Sequence, residues 1–151
     1  MTEIIRTEQV SVITFGGIPA ETENEFIMSV FKAACEESIN IDMISKAYLS
    51  TDCSSVGISV SDEVIPCLIK AFKTLKLQKP PMISCGNVKI VIKSKAMIDE
   101  KGFALSVFSL LDSLRTIPLL ITTAVDEISF IIRETESEEV ERRLKKLFGK
   151  K

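Results

Sequence analysis

The sequence predicts an α+β fold made of two interlocked copies of one βαββαβ unit, and three observations lead there. The first is an internal repeat. Shifting the 151-residue chain by 77 places matches Phe26, Ser29, Val30, Phe31, Ile44 and Ala47 with Phe103, Ser106, Val107, Phe108, Ile121 and Ala124 without a gap. Beyond a loop that is longer in the first copy, a shift of 76 matches Glu63, Val64, Leu68, Lys70 and Phe72 with Glu139, Val140, Leu144, Lys146 and Phe148. The second observation is period: each copy mixes segments alternating every second residue with apolar stripes at helical spacing. The third is that the second copy stops after its second helix, one strand short, whereas Ile4-Ile5-Arg6 precedes the opening strand of the first copy. That N-terminal strand is therefore expected to complete the sheet of the second unit.

In the first unit, Val10 to Phe15 reads as the opening strand, broken by Gly16-Gly17-Ile18-Pro19. Thr22 with Glu25 three residues later has the form of a capping box, and Phe26, Ile27, Val30, Phe31 and Ala34 make the helical stripe behind it. The helix gives way at Ser38 to Ile39-Asn40-Ile41-Asp42-Met43. Here polar Asn40 and Asp42 alternate with apolar neighbours and share one side of the segment. Asn and Asp are poor strand formers, so the pair is placed either to bond nearby backbone and end the helix or to hold a ligand. Residues 40 to 49 and 56 to 60 then form a hairpin, looping through Ser50 to Ser55. A second helix follows Ser61-Asp62-Glu63 with Val64, Leu68, Phe72 and Leu75 inward, and Pro66 requires it to start only a residue or two earlier. Lys79-Pro80-Pro81 ends it before a short strand near Met82 to Ser84.

The second unit repeats the order. Val88, Ile90 and Ile92 alternate with Lys89 and Lys93 as a half-buried strand, and Lys101-Gly102 leads into a helix with Phe103, Ala104, Val107, Phe108, Leu111 and Leu114 inward. Residues 117 to 124 and 127 to 132 form a tight hairpin turning at Val125-Asp126. The last helix carries Val140, Leu144, Leu147 and Phe148, with Glu136, Glu138 and Glu139 at its start and Lys145, Lys146 and Lys150 at its end, as the helix dipole prefers.

Composition sets the remaining bounds. Hydrophobic residues are 46% and charged residues 26%, values of an ordinary globular chain, and the net charge of −2 offers nothing to a phosphate backbone. Met1-Thr2-Glu3 does not begin a signal peptide, and no apolar run approaches a membrane span, so a soluble, cytoplasmic protein without a membrane association is expected. Cys35, Cys53, Cys67 and Cys85 form no C-x-x-C pair and the chain has no histidine, so neither a metal nor another cofactor is expected. The cysteines read as reduced and mostly buried.

Ile39-Asn40-Ile41-Asp42-Met43-Ile44 closely resembles the "INVDMI" segment in the first ACT module of the aspartate kinase regulatory region. Ile121-Thr122-Thr123 resembles the start of the "ISTSE" segment of the second module, and Met97 to Phe103 resembles the loop and helix start before it. The order of the copies and the early strand also resemble that family's interleaved pair, so the likeness covers almost the whole chain. It implies two ferredoxin-like βαββαβ ACT modules in tandem, residues 9–85 as module 1 and residues 86–151 plus 1–8 as module 2. It also implies an allosteric regulatory pair that binds an amino-acid effector, lysine or threonine, forms a homodimer, and serves a catalytic kinase domain or subunit. The ligand-binding residues it implies are Pro19, Ala20, Asn40, Ile41, Asp42, Met97, Gly102, Phe103, Thr122 and Thr123, with Asp42 meeting the ligand's ammonium and the loop around Pro19 and Ala20 closing beside the polar pair.

There are departures from the pattern. Glu25 stands at a glycine position of the first module; Ile117 and Pro118 replace the counterparts of Asn40 and Ile41, and Val125 a glutamate. They motivate an alternative, a structural dimerisation module with degenerate effector sites. Catalysis is not expected, because the family's kinase domain precedes the ACT pair and only nine residues precede the first strand here. RNA-recognition domains share the βαββαβ layout, but with Tyr48 the sole tyrosine, no tryptophan and an acidic pI near 5.3, the stacking platform and basic field for nucleic acid are missing.

Overall fold

The computed structural model describes residues 1–77 and 79–149. Among them are six strands and five α-helices, an α+β chain. In order these are β1 (Thr2–Pro19), α1 (Glu23–Glu36), β2 (Ile44–Tyr48), β3 (Cys53–Ser61), α2 (Ile65–Phe72), β4 (Met82–Ser94), α3 (Ala96–Asp99), α4 (Phe103–Ser113), β5 (Leu120–Thr123), β6 (Glu127–Arg133) and α5 (Glu134–Phe148). The chain divides into two compact units, one of Gln9–Cys85 and one of Met1–Glu8 with Gly86–Lys151.

In the Gln9–Cys85 unit, β3 pairs antiparallel with both β1 and β2. Alternation puts Ile13 and Phe15 of β1 and Val56, Ile58 and Val60 of β3 on the face that meets the helices. Val30 and Ala34 of α1 and Leu68 and Phe72 of α2 close this core, with Phe15 edge-on to Phe26 and Phe72 at centroid distances of 5.4 and 5.5 Å. In the other unit, β6 pairs antiparallel with β4 and β5. Val88, Ile90, Ile92, Ile128, Phe130 and Ile132 face Val107 and Leu111 of α4 and Val140 and Leu144 of α5. The N-terminal residues belong here: Ile4 packs against this core, Thr2 Oγ1 lies 2.9 Å from Ser94 Oγ, and the Arg6 guanidinium donates to Glu141 at 3.3 Å.

The repeat extends to backbone conformation. Ser38 and Arg115, 77 residues apart, both adopt left-handed φ, +55° and +54°. Behind them the amides of Ile39 and Thr116 reach back to the carbonyls of Ala34 and Leu111, both at 2.9 Å, the six-residue closure of a Schellman helix end. Gln9 and Gly86, also 77 apart, are left-handed at +54° and +70°, and each is the residue at which the chain passes from one compact unit to the other.

Several expectations are corrected. Gly16-Gly17 does not end the opening strand. β1 runs through it with a register shift between Phe15 and Ile18, a bulge in which Gly17 takes φ +63°. Ile4–Arg6 is likewise not a separate strand but part of β1, and the segment near Met82 is continuous with that of Val88 in β4. The Thr22 capping box does not form; a 3-10 turn at Ala20–Thr22 leads into α1 and the Thr22 side chain makes no cap hydrogen bond. Residues 39–43 and 117–119 lie outside the strands, and Leu75 outside α2. Ala104 is exposed and Leu147 nearly half exposed, so the inner faces of α4 and α5 are narrower than the stripes suggested. All four cysteines are free, but Cys35 and Cys85 are exposed and Cys53 and Cys67 half-buried, so none is a core residue. Lys150 lies outside the described residues.

Candidate ligand sites

The segment Ile39–Met43 is fixed by its backbone. The amide of Asp42 donates to the Ser59 carbonyl at 3.0 Å and that of Met43 to Ser59 Oγ at 2.9 Å, which anchors the start of β2 on β3. Met43 is buried, Ile39 and Ile41 pack partly against the core, and Asn40 and Asp42 are exposed, as their alternation requires. Asn40 and Ile41 line an open groove of about 460 Å³ whose other wall is Phe31, Ala34 and Cys35 of α1.

Pro19 and Ala20 sit elsewhere in the same unit. Pro19 pairs with Cys53 and the Ala20 amide donates to the Asp52 carbonyl at 2.9 Å, so both lie at the far end of β3. Ser59 lies six positions beyond Cys53 along β3, and at roughly 3.3 Å per residue the loop stands about 20 Å along the sheet from Asp42. One unit therefore does not bring the polar pair and the loop together. Around the loop the structure instead gathers residues that spacing could not show. Glu23, at the start of α1, accepts from Ser54 Oγ at 2.8 Å and from the Lys46 ammonium, and the Lys46 bond chiefly, with help from Ser54, holds its carboxyl below the usual range. On the other side of the loop, Pro19 borders a cavity of about 80 Å³ that reaches Lys76 and Lys79.

In the other unit Gly102 is left-handed at φ +94° and opens α4. Phe103 follows it, buried and stacked on Phe148 at 4.7 Å, so its ring belongs to the core. Met97 lies in α3, half-buried against the same core. Thr122 and Thr123 occupy β5, paired with Ser129 and Ile128; Thr122 is half-buried and Thr123 exposed. Lys93 at the end of β4 is level with Glu127, one residue before Ile128. The threonines thus lie toward the end of the sheet from which the chain departs for α3.

No family model and no curated protein matches this sequence. Solved structures do match its fold. The ligand-free regulatory subunit of aspartate kinase from Thermus thermophilus agrees at a TM-score of 0.84 with 19% identity, over 96% of each chain. Aspartate kinase from Clostridium acetobutylicum agrees at 0.81 with 15% identity, over 96% of this chain and 34% of its own. Aspartokinase III of E. coli, in complex with lysine and aspartate in the T-state, agrees at 0.67 with 17% identity, over 95% of this chain and 32% of its own. The chain therefore has the fold of a regulatory domain. More particularly, that fold is the one seen in aspartate kinase regulatory subunits.

Proposed function

We propose that this chain is a tandem pair of ferredoxin-like ACT modules, residues 9–85 and residues 86–151 with 1–8, that binds a free amino acid and regulates an aspartate kinase catalytic domain or subunit without catalysing a reaction itself. The observation that carries the reading is the agreement of fold over 96% of both this chain and the Thermus regulatory subunit. Lysine is the first effector to test, since the E. coli neighbour holds it, and threonine the second.

The ligand needs an acceptor for its ammonium and donors for its carboxylate. Asp42 with Asn40 and Ile41 supplies the first; the amides around Pro19 and Ala20 suit the second. Because these groups stand about 20 Å apart in one unit, the site is completed by a second copy. Two copies set side by side on their β2 edges, running antiparallel, bring the loop end of one module to the β2 start of the other. Apolar exposure supports that arrangement. Met28 is 71% exposed, Ile44 50% and Tyr48 72%, all on α1 or the edge strand β2, and the residues 77 places later, Leu105, Ile121 and Val125, are exposed too. Repetition of the same apolar positions fits a surface that pairs in both modules, hence a homodimer.

The alternative, a structural dimerisation module with degenerate sites, is favoured by the 80% exposed Ile117, which puts an apolar side chain where the first module has Asn40. A thermal-shift screen over free amino acids separates the two. At 100 times its dissociation constant an effector adds about 2.7 kcal/mol, whereas a degenerate module shifts with none.

A further inference from the structure

We propose that the cavity between the β1 bulge and the segment after α2 is a binding site for a short-chain carboxylate of four or five non-hydrogen atoms. Its volume is about 80 Å³, roughly half of a cavity that accepts benzene, which sets the ligand's size. Phe15 and Phe26 form an apolar interior, set edge to face at 5.4 Å, with Leu77 beside them. Lys76 and Lys79 supply the charge, and none of the described residues lining the space is acidic. Neither lysine has an ion-pair partner among the described residues.

The bulge makes room for the ammonium. It takes Gly16 and Gly17 out of register with β3, and Lys79 Nζ lies 3.8 Å from where a Cβ on Gly17 would stand. With φ at +63°, this position also disfavours any residue that has a Cβ. The result is an unpaired cation beside an apolar hollow. An alkyl carboxylate satisfies both, its chain on the phenylalanines and its oxygens toward the lysines through charge-assisted hydrogen bonds. Phosphate and sulfate match the charge but would have to shed water into an apolar interior without enough donors to replace it. The site shares Pro19 with the loop assigned to the effector's carboxylate but includes none of Asn40 to Asp42, and its charge comes from Lys76 and Lys79, so loss of binding on replacing these lysines is specific to it.

The test is an amide NMR titration of the intact chain with sodium propionate, ionic strength held constant with sodium chloride, and a parallel titration with sodium phosphate. Propionate should move the Gly16, Gly17 and Thr22 amides saturably while leaving Asn40 and Asp42 in place. Binding should weaken about tenfold or more in the Lys76→Gln/Lys79→Gln variant, which replaces two exposed side chains and keeps the fold. The proposal is overturned if the shifts stay linear in concentration, if the double variant responds like wild type, or if phosphate moves the same amides as strongly as propionate.

Discussion

Gly86 and Gly16 form a controlled pair, because a Cβ added at either meets nothing within 4 Å. Only their backbones differ in the respect that matters: Gly86 has φ +70°, and Gly16 is not left-handed. Alanine at 86 must adopt a left-handed conformation that costs an L-residue about 1–2 kcal/mol. Reduced freedom of the unfolded chain returns about 0.4–1 kcal/mol, so Gly86→Ala should destabilise by roughly 0.8 kcal/mol at mid-range and by at most about 1.6 kcal/mol. At about 2–4 °C per kcal/mol for a chain of this length, its Tm should fall by roughly 1–6 °C. Gly16→Ala carries only the unfolded-state term and should be neutral or stabilising by up to about 1 kcal/mol. Urea melts followed by circular dichroism on both variants read the two signs. If Gly86→Ala is as stable as wild type, or if both alanines act alike, the left-handed turn at the passage between the compact units is not what the structure describes.

Two further outcomes concern charge and assembly. Hydrogen bonds from Lys46 and then Ser54 lower the Glu23 carboxyl below its ordinary value of 4.5, so its stabilising contribution is complete above that value and is lost as pH falls through the lower, folded-state value. Glu23→Gln should therefore flatten the acid limb of the stability profile while leaving the neutral limb's slope unchanged; an unaltered acid limb would remove this cluster from the account. Lysine in place of Ile44, on an edge strand, should oppose edge pairing, and light scattering should report a shift from dimer to monomer. A wild-type chain that is already monomeric at micromolar concentration would count against the proposed dimer.

The repeat was readable because each copy must bury the same face: Val30 and Val107, or Phe72 and Phe148, keep their apolar character wherever they touch a core. Alternation around Asn40 and Asp42 was readable for the same reason. Strand continuity was not. Gly16-Gly17 reads as a break, yet a bulge absorbs both residues inside β1, and Gln9 carries no local sign that it will turn left-handed within that same strand. Helix ends at Ser38 and Arg115 were equally silent, since their left-handed conformation is enforced by the closures from Ile39 and Thr116 rather than by a glycine. The Glu23, Lys46 and Ser54 cluster joins a helix start to two strands, and the cavity near Gly17 joins β1 to lysines some 60 residues later. Such assemblies depend on register, which periodicity does not give.

Calorimetry of the intact chain with lysine and with threonine, on wild type and on Asp42→Asn, tests the regulatory reading most directly. A charge-assisted hydrogen bond is worth about 1.5–3 kcal/mol, so one of the two amino acids should bind saturably, and Asp42→Asn should weaken that binding by roughly tenfold to a hundredfold with an unchanged melting temperature. Equal affinities for the two proteins would remove Asp42 from the site, and an absence of heat with every amino acid tried would contradict effector binding and leave a pairing module in its place.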